Sequence, residues 1–145
     1  MTTYSIEQLK ESAQRTANVY AEIANRTMGS KLPIPVFLEF DLQNISPKAA
    51  GCATTTMQIN LNMILFEDNV EYILNDTIPH EIAHLVQFDK FNHRGADTQG
   101  HGIEWQEISR RFGKTPHKFH TLDTVRAIEH FKAQKKTKKP AKGKA

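Results

Sequence analysis

A single cysteine, Cys52, is all the chain has. An intramolecular disulfide is therefore impossible and a cysteine-based zinc ribbon cannot form. A reducing, cytoplasmic compartment is the expectation. Long apolar runs are missing too. None approaches the ~20 residues a membrane-spanning helix needs, so no membrane partner is expected. Residues Met1 to Ser5 lack the basic start and apolar middle of a signal peptide. Internal repeats are absent. The 145 residues suit one domain around one core, expected to be a monomer.

Acid is what the C-terminal end lacks. From Lys132 to Ala145 there are seven lysines and no aspartate or glutamate; taking those seven from the formal +3 leaves −4 on residues 1–131. A mixture of Lys, Pro, Gly and Ala buries little apolar surface. The expectation is a folded domain over 1–131 and a disordered lysine-rich tail over 132–145. Within the tail, Lys135, Lys136, Lys138 and Lys139 are candidates to neutralise phosphates on DNA or RNA. No aromatics are interleaved, so such contact would be to the backbone and sensitive to salt. Binding an acidic protein or aiding solubility are the other roles open to it.

The folded part divides by its periodicities. Ser5 with Gln8 has the form of a capping box, and Ile6, Leu9, Ala13, Ala17, Tyr20 and Ala24 recur at helical spacing until Gly29. After Pro33 and Pro35, Val36, Leu38, Phe40 and Leu42 alternate as in a strand. The threonine-rich stretch from Gly51 to Asn62 predicts a tight hairpin of two short strands. Helical period returns at Val70, Ile73 and Leu74, and Pro79 either starts a new helix or kinks a longer one. Residues 92–100 predict a loop, Gly102 to Phe112 a short helix with Ile103, Ile108 and Phe112 inward, and Asp123 to Lys132 a last helix. The fold class expected is α+β: an N-terminal helix, a small three-stranded antiparallel sheet, then helices.

The chemistry concentrates in His80-Glu-Ile-Ala-His84. Histidines spaced i, i+4 on a helix project from one face and can share one ion. Zinc suits neutral imidazoles and, when catalytic, keeps a position open for water. Glu81 then stands where it can accept that water's proton as general base. Two surface histidines on an amphipathic helix is the bland alternative, but Ile82, Leu85 and Val86 make this helix half-buried, and buried histidines need partners. A third ligand is required, and three residues are candidates. His93 lies in the loop after the helix. Glu104 has the spacing of the third carboxylate in thermolysin-like proteases. His101 opens the next helix between Gly100 and Gly102. The metzincin extension, which needs Gly at 87 and His at 90, fails at Gln87 and Lys90.

His-Glu-x-x-His followed by a short loop and His101-Gly-Ile-Glu-Trp105 resembles the SprT family of metallopeptidases, bacterial SprT and the Spartan protease domain. Ala50-Gly51 and Gln58 to Asn62 are similar to the hairpin ahead of that family's active-site helix, and Pro79 precedes the motif as in bacterial members. The likeness covers about residues 5 to 120. It implies a zincin-like fold, one catalytic Zn2+ held by His80, His84 and His101, and Glu81 as the catalytic carboxylate. It also implies protein substrates, including proteins trapped on DNA. Glu104 becomes a candidate to accept a hydrogen bond from a ligand imidazole, with a helix-start acid as its plain alternative. Many bacterial members carry a four-cysteine ribbon after this domain, and residues 121–145 hold no cysteine. Trp105 reads as core packing, His117 and His120 as surface residues or oxyanion donors bordering the cleft, and Cys52 as a small apolar side chain. The rival reading is a nucleic-acid-associated zinc-binding protein without proteolytic activity.

Overall fold

The computed structural model describes residues 3–91, 101–117 and 119–143, with side chains described as far as Gln134. Helix α1 spans Ile6–Thr27. Ser5 Oγ accepts from the Gln8 amide at 3.1 Å while Gln8 Oε1 accepts from the Ser5 amide at 2.9 Å, the reciprocal capping box the sequence predicts; such a cap is worth about 1 kcal/mol. Gly29, at φ +72, ends the run. The buried stripe is Leu9, Ala13, Ala17, Ala21 and Ala24. Four alanines leave room for another helix to lie close, and α1 packs along the helix that carries His80 and His84.

Strand β1 is short, Phe37–Glu39, because Asp41 caps a 3-10 turn at Leu42–Asn44 through the Gln43 amide. Strands β2 (Gly51–Ala53) and β3 (Gln58–Leu61) form the expected hairpin, with Met57 taking a left-handed φ of 67 in its turn. The sheet order is β1-β3-β2, with β3 antiparallel to β2 and parallel to β1. The sheet is thus mixed, where the sequence reading has it wholly antiparallel. The connection from β1 crosses to the far edge, so the hairpin brings β3 back between the two; alternation along a strand does not encode that skip. Asn60 locks the crossing, its side chain bonding both the amide and the carbonyl of Asp41.

Asn62 is the pivot out of the sheet. Its buried side chain accepts from the Ile64 and Leu65 amides, starting helix α2 (Met63–Asp68), and donates to the Pro47 and Ala49 carbonyls. Helix α3 (Val70–Tyr72) runs through a π turn at Ile73–Thr77 into α4 (Ile78–Phe91). Pro79 explains the wide turn. It has no amide to give the carbonyl four residues back, and its ring presses on that carbonyl, so the helix widens by a residue instead of breaking. Ile73, Ile78, Ile82, Leu85 and Val86 form the centre of the core together with Phe66, Ile59 and Leu61.

Helix α5 (Ile103–Arg111) buries Trp105 and Ile108, whereas Ile103, an expected core position, is 79% exposed. Helix α6 begins at Val125, with Asp123 Oδ1 accepting from its amide, and its backbone stays helical to Gly143, past the boundary at Lys132 that composition suggests. Arg126 ties it to α2 through Glu67, Asp68 and the Ile64 carbonyl. No helix among the described residues is long and apolar enough to cross a membrane.

Candidate metal centre

His80 and His84 lie one turn apart on α4, and His101 comes from the segment just before α5. The His101 Nε2 is 3.0 Å from the His80 Nε2 and 3.2 Å from the His84 Nε2. One proton cannot serve three nitrogens aimed at one point, whereas a cation can. For a tetrahedral zinc with bonds of about 2.0–2.1 Å, ligand nitrogens stand about 3.3–3.4 Å apart. The observed spacing is slightly tighter, and among the described residues this is the one group of three or more His, Cys, Asp or Glu close enough to hold a metal ion. The donor set therefore fits zinc.

The protonation states agree. Burial, then the neighbouring histidines His84 and His101, lower the His80 imidazole to about 3. Burial likewise lowers His84 to about 4. Both rings are neutral near pH 7, as ligands must be. His84 Nδ1 lies 3.0 Å from Gln87 Oε1, so the Nδ1 proton donates to Gln87 and the Nε2 lone pair is left for a metal.

Trp105 is the floor of the site. It is 2% exposed, its Nε1 donates to the His80 carbonyl at 3.1 Å, and its ring centroid lies 4.6, 5.7 and 4.9 Å from those of His80, His84 and His101. The core reading of Trp105 is right, and that core happens to hold the ligands. Gln106 Nε2 donates to the His101 carbonyl at 3.1 Å and fixes the third histidine from below.

Glu81 turns away from this aromatic floor toward β2. It is 5% exposed, and burial pushes its carboxyl up to about 8. Gly51 makes the room: a Cβ there would lie 3.3 Å from Glu81 Cγ, 3.1 Å from Leu61 Cδ2 and 3.2 Å from Thr77 Cγ2. The half-buried Cys52 thiol beside it is pushed up by burial and then by the Glu81 charge, which keeps it protonated and unreactive.

Of the remaining sequence candidates, Glu104 is half-buried in the first turn of α5. Gln87 is an imidazole partner of His84, and the sequence marks it only as a departure from the metzincin pattern. His93 and the side chains of Lys135, Lys136, Lys138 and Lys139 lie outside the described residues. His117 and His120 are both engaged. His117 Nε2 is 2.9 Å from Asp76 Oδ2 and 3.0 Å from the Tyr72 hydroxyl, and burial with the Asp76 carboxylate pushes that phenol up. His120 Nε2 donates to the Lys48 carbonyl at 2.7 Å while its Nδ1 accepts from the Leu122 amide. His117 is thereby fastened to α3 and the π turn, and His120 to the loop before β2. Gln106 packs at the cluster without any sequence signal, while Gln87 and Gly51 stand in the sequence reading with no contact to the site assigned to them. A glutamine three residues after a ligand histidine on a helix is the one signal that could have been read.

The fold and the site define a small α+β domain with a three-histidine centre able to hold a metal ion. A model of the SprT-like family matches residues 16–127, well over half the chain, and the chain belongs to that family. It is 30% identical over 116 residues to Protein SprT of Vibrio atlanticus, covering 79% of this chain and 62% of that protein. To Protein SprT of Vibrio parahaemolyticus it is 35% identical over 102 residues, 67% of this chain and 57% of the relative. Against Protein SprT of Pseudomonas syringae the figures are 41% over 69 residues, 47% and 40%. The chain thus spans about 60% of the length of the first two relatives. No solved structure matches it.

Proposed function

We propose that the chain is a zinc-dependent metalloendopeptidase of SprT type, zincin-like in layout, with His80, His84 and His101 as ligands and Glu81 as general base. The observation that carries this is the convergence of His80, His84 and His101 on one point, with the buried Glu81 carried by the same helix as the first two. A purely structural zinc site has no use for Glu81. Zinc bound there supplies a Lewis acid that acidifies water and polarises a carbonyl. Glu81 accepts the proton of the attacking water and delivers it to the departing amine. A carboxyl raised toward neutrality by burial suits that exchange, and a cation next to it would favour its ionised form. Gln87 and Trp105 hold the imidazoles so that little reorganisation is needed when the ion and substrate arrive.

A polypeptide substrate is supported by the sheet edge. Among the described residues strand β2 pairs on one side only, with β3, and it lies against Glu81, so an extended chain could add to it through main-chain hydrogen bonds near the general base. The lysine run at 132–145 would hold DNA by its phosphates and direct cleavage to DNA-associated or crosslinked proteins in the cytoplasm; its composition and the family likeness support this.

The test is the zinc-loaded full chain beside Glu81→Gln, assayed on an unfolded protein substrate with zinc measured in both. Cleavage lost with zinc retained is expected. Equal cleavage by Glu81→Gln would falsify the mechanism. Zinc and DNA binding with no proteolysis by the wild-type chain, with or without DNA, would instead favour the non-proteolytic zinc-binding reading.

A further inference from the structure

Against Trp105, which floors the three-histidine cluster, lies an open recess of about 450 Å³ walled also by Gln106, Arg110, Lys114 and His117. A narrower recess that shares Trp105, Lys114 and His117 reaches His80 and Asp76. The charges in these walls are unequal. Asp76 is occupied by His117 and Tyr72. Arg110 and Lys114 have no ion-pair partner among the described residues. Both stand on a body whose residues 1–131 carry a formal −4, so two unopposed cations at one recess run against the overall charge.

Capping does not account for them. Cations gather at helix C-termini to satisfy the last carbonyls and the dipole, but α5 closes on its own backbone. The Lys114 amide donates to the Ser109 carbonyl at 3.1 Å and the Gly113 amide to the Arg110 carbonyl at 2.9 Å, with Gly113 at φ +79. This closure fixes Lys114 just beyond the helix end and leaves its ammonium and the Arg110 guanidinium for another partner. The Lys114 Nζ already lies over the Tyr20 ring, 5.9 Å from the centroid, a weak aromatic contact that neutralises no charge and limits where the ammonium can swing.

We propose that this recess takes an acidic side chain, Asp or Glu, of a peptide lying across the three histidines, with Arg110 and Lys114 as its specificity-determining residues. The inference rests on the peptidase reading above and names the substrate class that reading leaves open. Arg110 supplies a planar donor pair for the carboxylate and Lys114 a point charge beside it. Gln106 and Thr115 add uncharged polar groups to the wall beside Trp105 and Pro116, so the two cations are what distinguish an acidic side chain there.

Matched peptides that differ only in Glu, Gln or Lys near the scissile bond test it, with the zinc-loaded full chain and the double variant Arg110→Glu, Lys114→Glu. Wild type is expected to cut the Glu peptide about tenfold better in kcat/KM than the Lys peptide, mostly through KM. The preference should shrink with added salt, and the double variant should invert it. Fluorescence anisotropy of the same labelled peptides on Glu81→Gln gives the binding order without turnover. Cleavage with no Glu-over-Lys preference, or a preference unchanged in the double variant, overturns this inference and leaves the peptidase reading standing. No cleavage by wild type, together with tighter binding of the Glu peptide that the double variant abolishes, sinks the peptidase reading and leaves the acidic subsite. An oligonucleotide that displaces the Glu peptide, and whose binding the double variant abolishes, assigns the recess to phosphate and overturns the inference.

Discussion

Metal-free protein in which Glu81 is replaced by Gln should be more stable than wild type at neutral pH, by an amount fixed by the burial of one carboxyl. Glu81 titrates at about 8 in the fold against an ordinary 4.5. An acid whose folded value is raised holds more protons folded than unfolded between those two values, so stability falls as pH rises through that window. From 4.5 to pH 7, at about 1.4 kcal/mol per pH unit, the cost is about 3 kcal/mol. The histidines act the opposite way. His80 and His84, lowered to about 3 and about 4, are protonated only in the unfolded chain below 6.5, so they add stability as pH rises to that value and nothing above it. Wild-type apoprotein should therefore be most stable near pH 6.5 and lose about 2 kcal/mol by pH 8. Glu81→Gln keeps the side chain's volume, removes the charge, and should show the acid limb with a flat plateau above pH 6.5. Urea unfolding of both proteins in chelator from pH 5 to 8 measures this directly. Parallel curves above pH 6.5 would refute the assignment of a desolvated carboxyl at position 81. Zinc should restore wild-type stability more than it does that of Glu81→Gln, because the ion favours the charged carboxylate.

Other perturbations separate the supporting residues. Gln87→Ala frees the His84 Nδ1 proton from its acceptor, and zinc affinity, read by competition with a chromophoric chelator, should fall about 10–100-fold; unchanged affinity removes Gln87 from the site. Trp105→Phe keeps a ring under the histidines but loses the bond to the His80 carbonyl, so it should cost about 1 kcal/mol, whereas Trp105→Ala should cost about 3–5 kcal/mol in urea unfolding. Gly51→Ala places a methyl within 3.1–3.3 Å of Leu61, Thr77 and Glu81, so it should destabilise by about 1–3 kcal/mol and lower kcat with zinc still bound. A fully active Gly51→Ala enzyme would show that Glu81 has more freedom than its packing implies.

The site was largely legible because its spacing is a helical property. Histidines at 80 and 84 can meet only on a helix, and α4 supplies one. The long run from Val70 was readable, yet the π turn that lets Pro79 sit inside it is a compromise between a missing amide and continuous packing, which no periodicity reports. The sheet was half legible. Alternation found the strands, but the parallel pairing of β1 with β3 is set by how residues 40–50 cross the sheet. Helix α2 went unread because four consecutive buried residues, Met63 to Phe66, show no helical period; Asn62 starts it, and a single asparagine is a weak signal. Ile103 was misplaced because one turn of a nine-residue helix can be rotated without spoiling a three-point pattern, and Trp105, not Ile103, faces inward.

The tryptophan beneath the three histidines is the only one in the chain. Its indole is in ring contact with His80, His84 and His101 and bonded to the backbone of the first of them. All tryptophan emission of the chain therefore arises beside the three histidines, and nothing elsewhere dilutes it. Loading, stripping or exchanging the ion can be followed through that single fluorophore in the unmodified protein, in real time and without a coloured chelator.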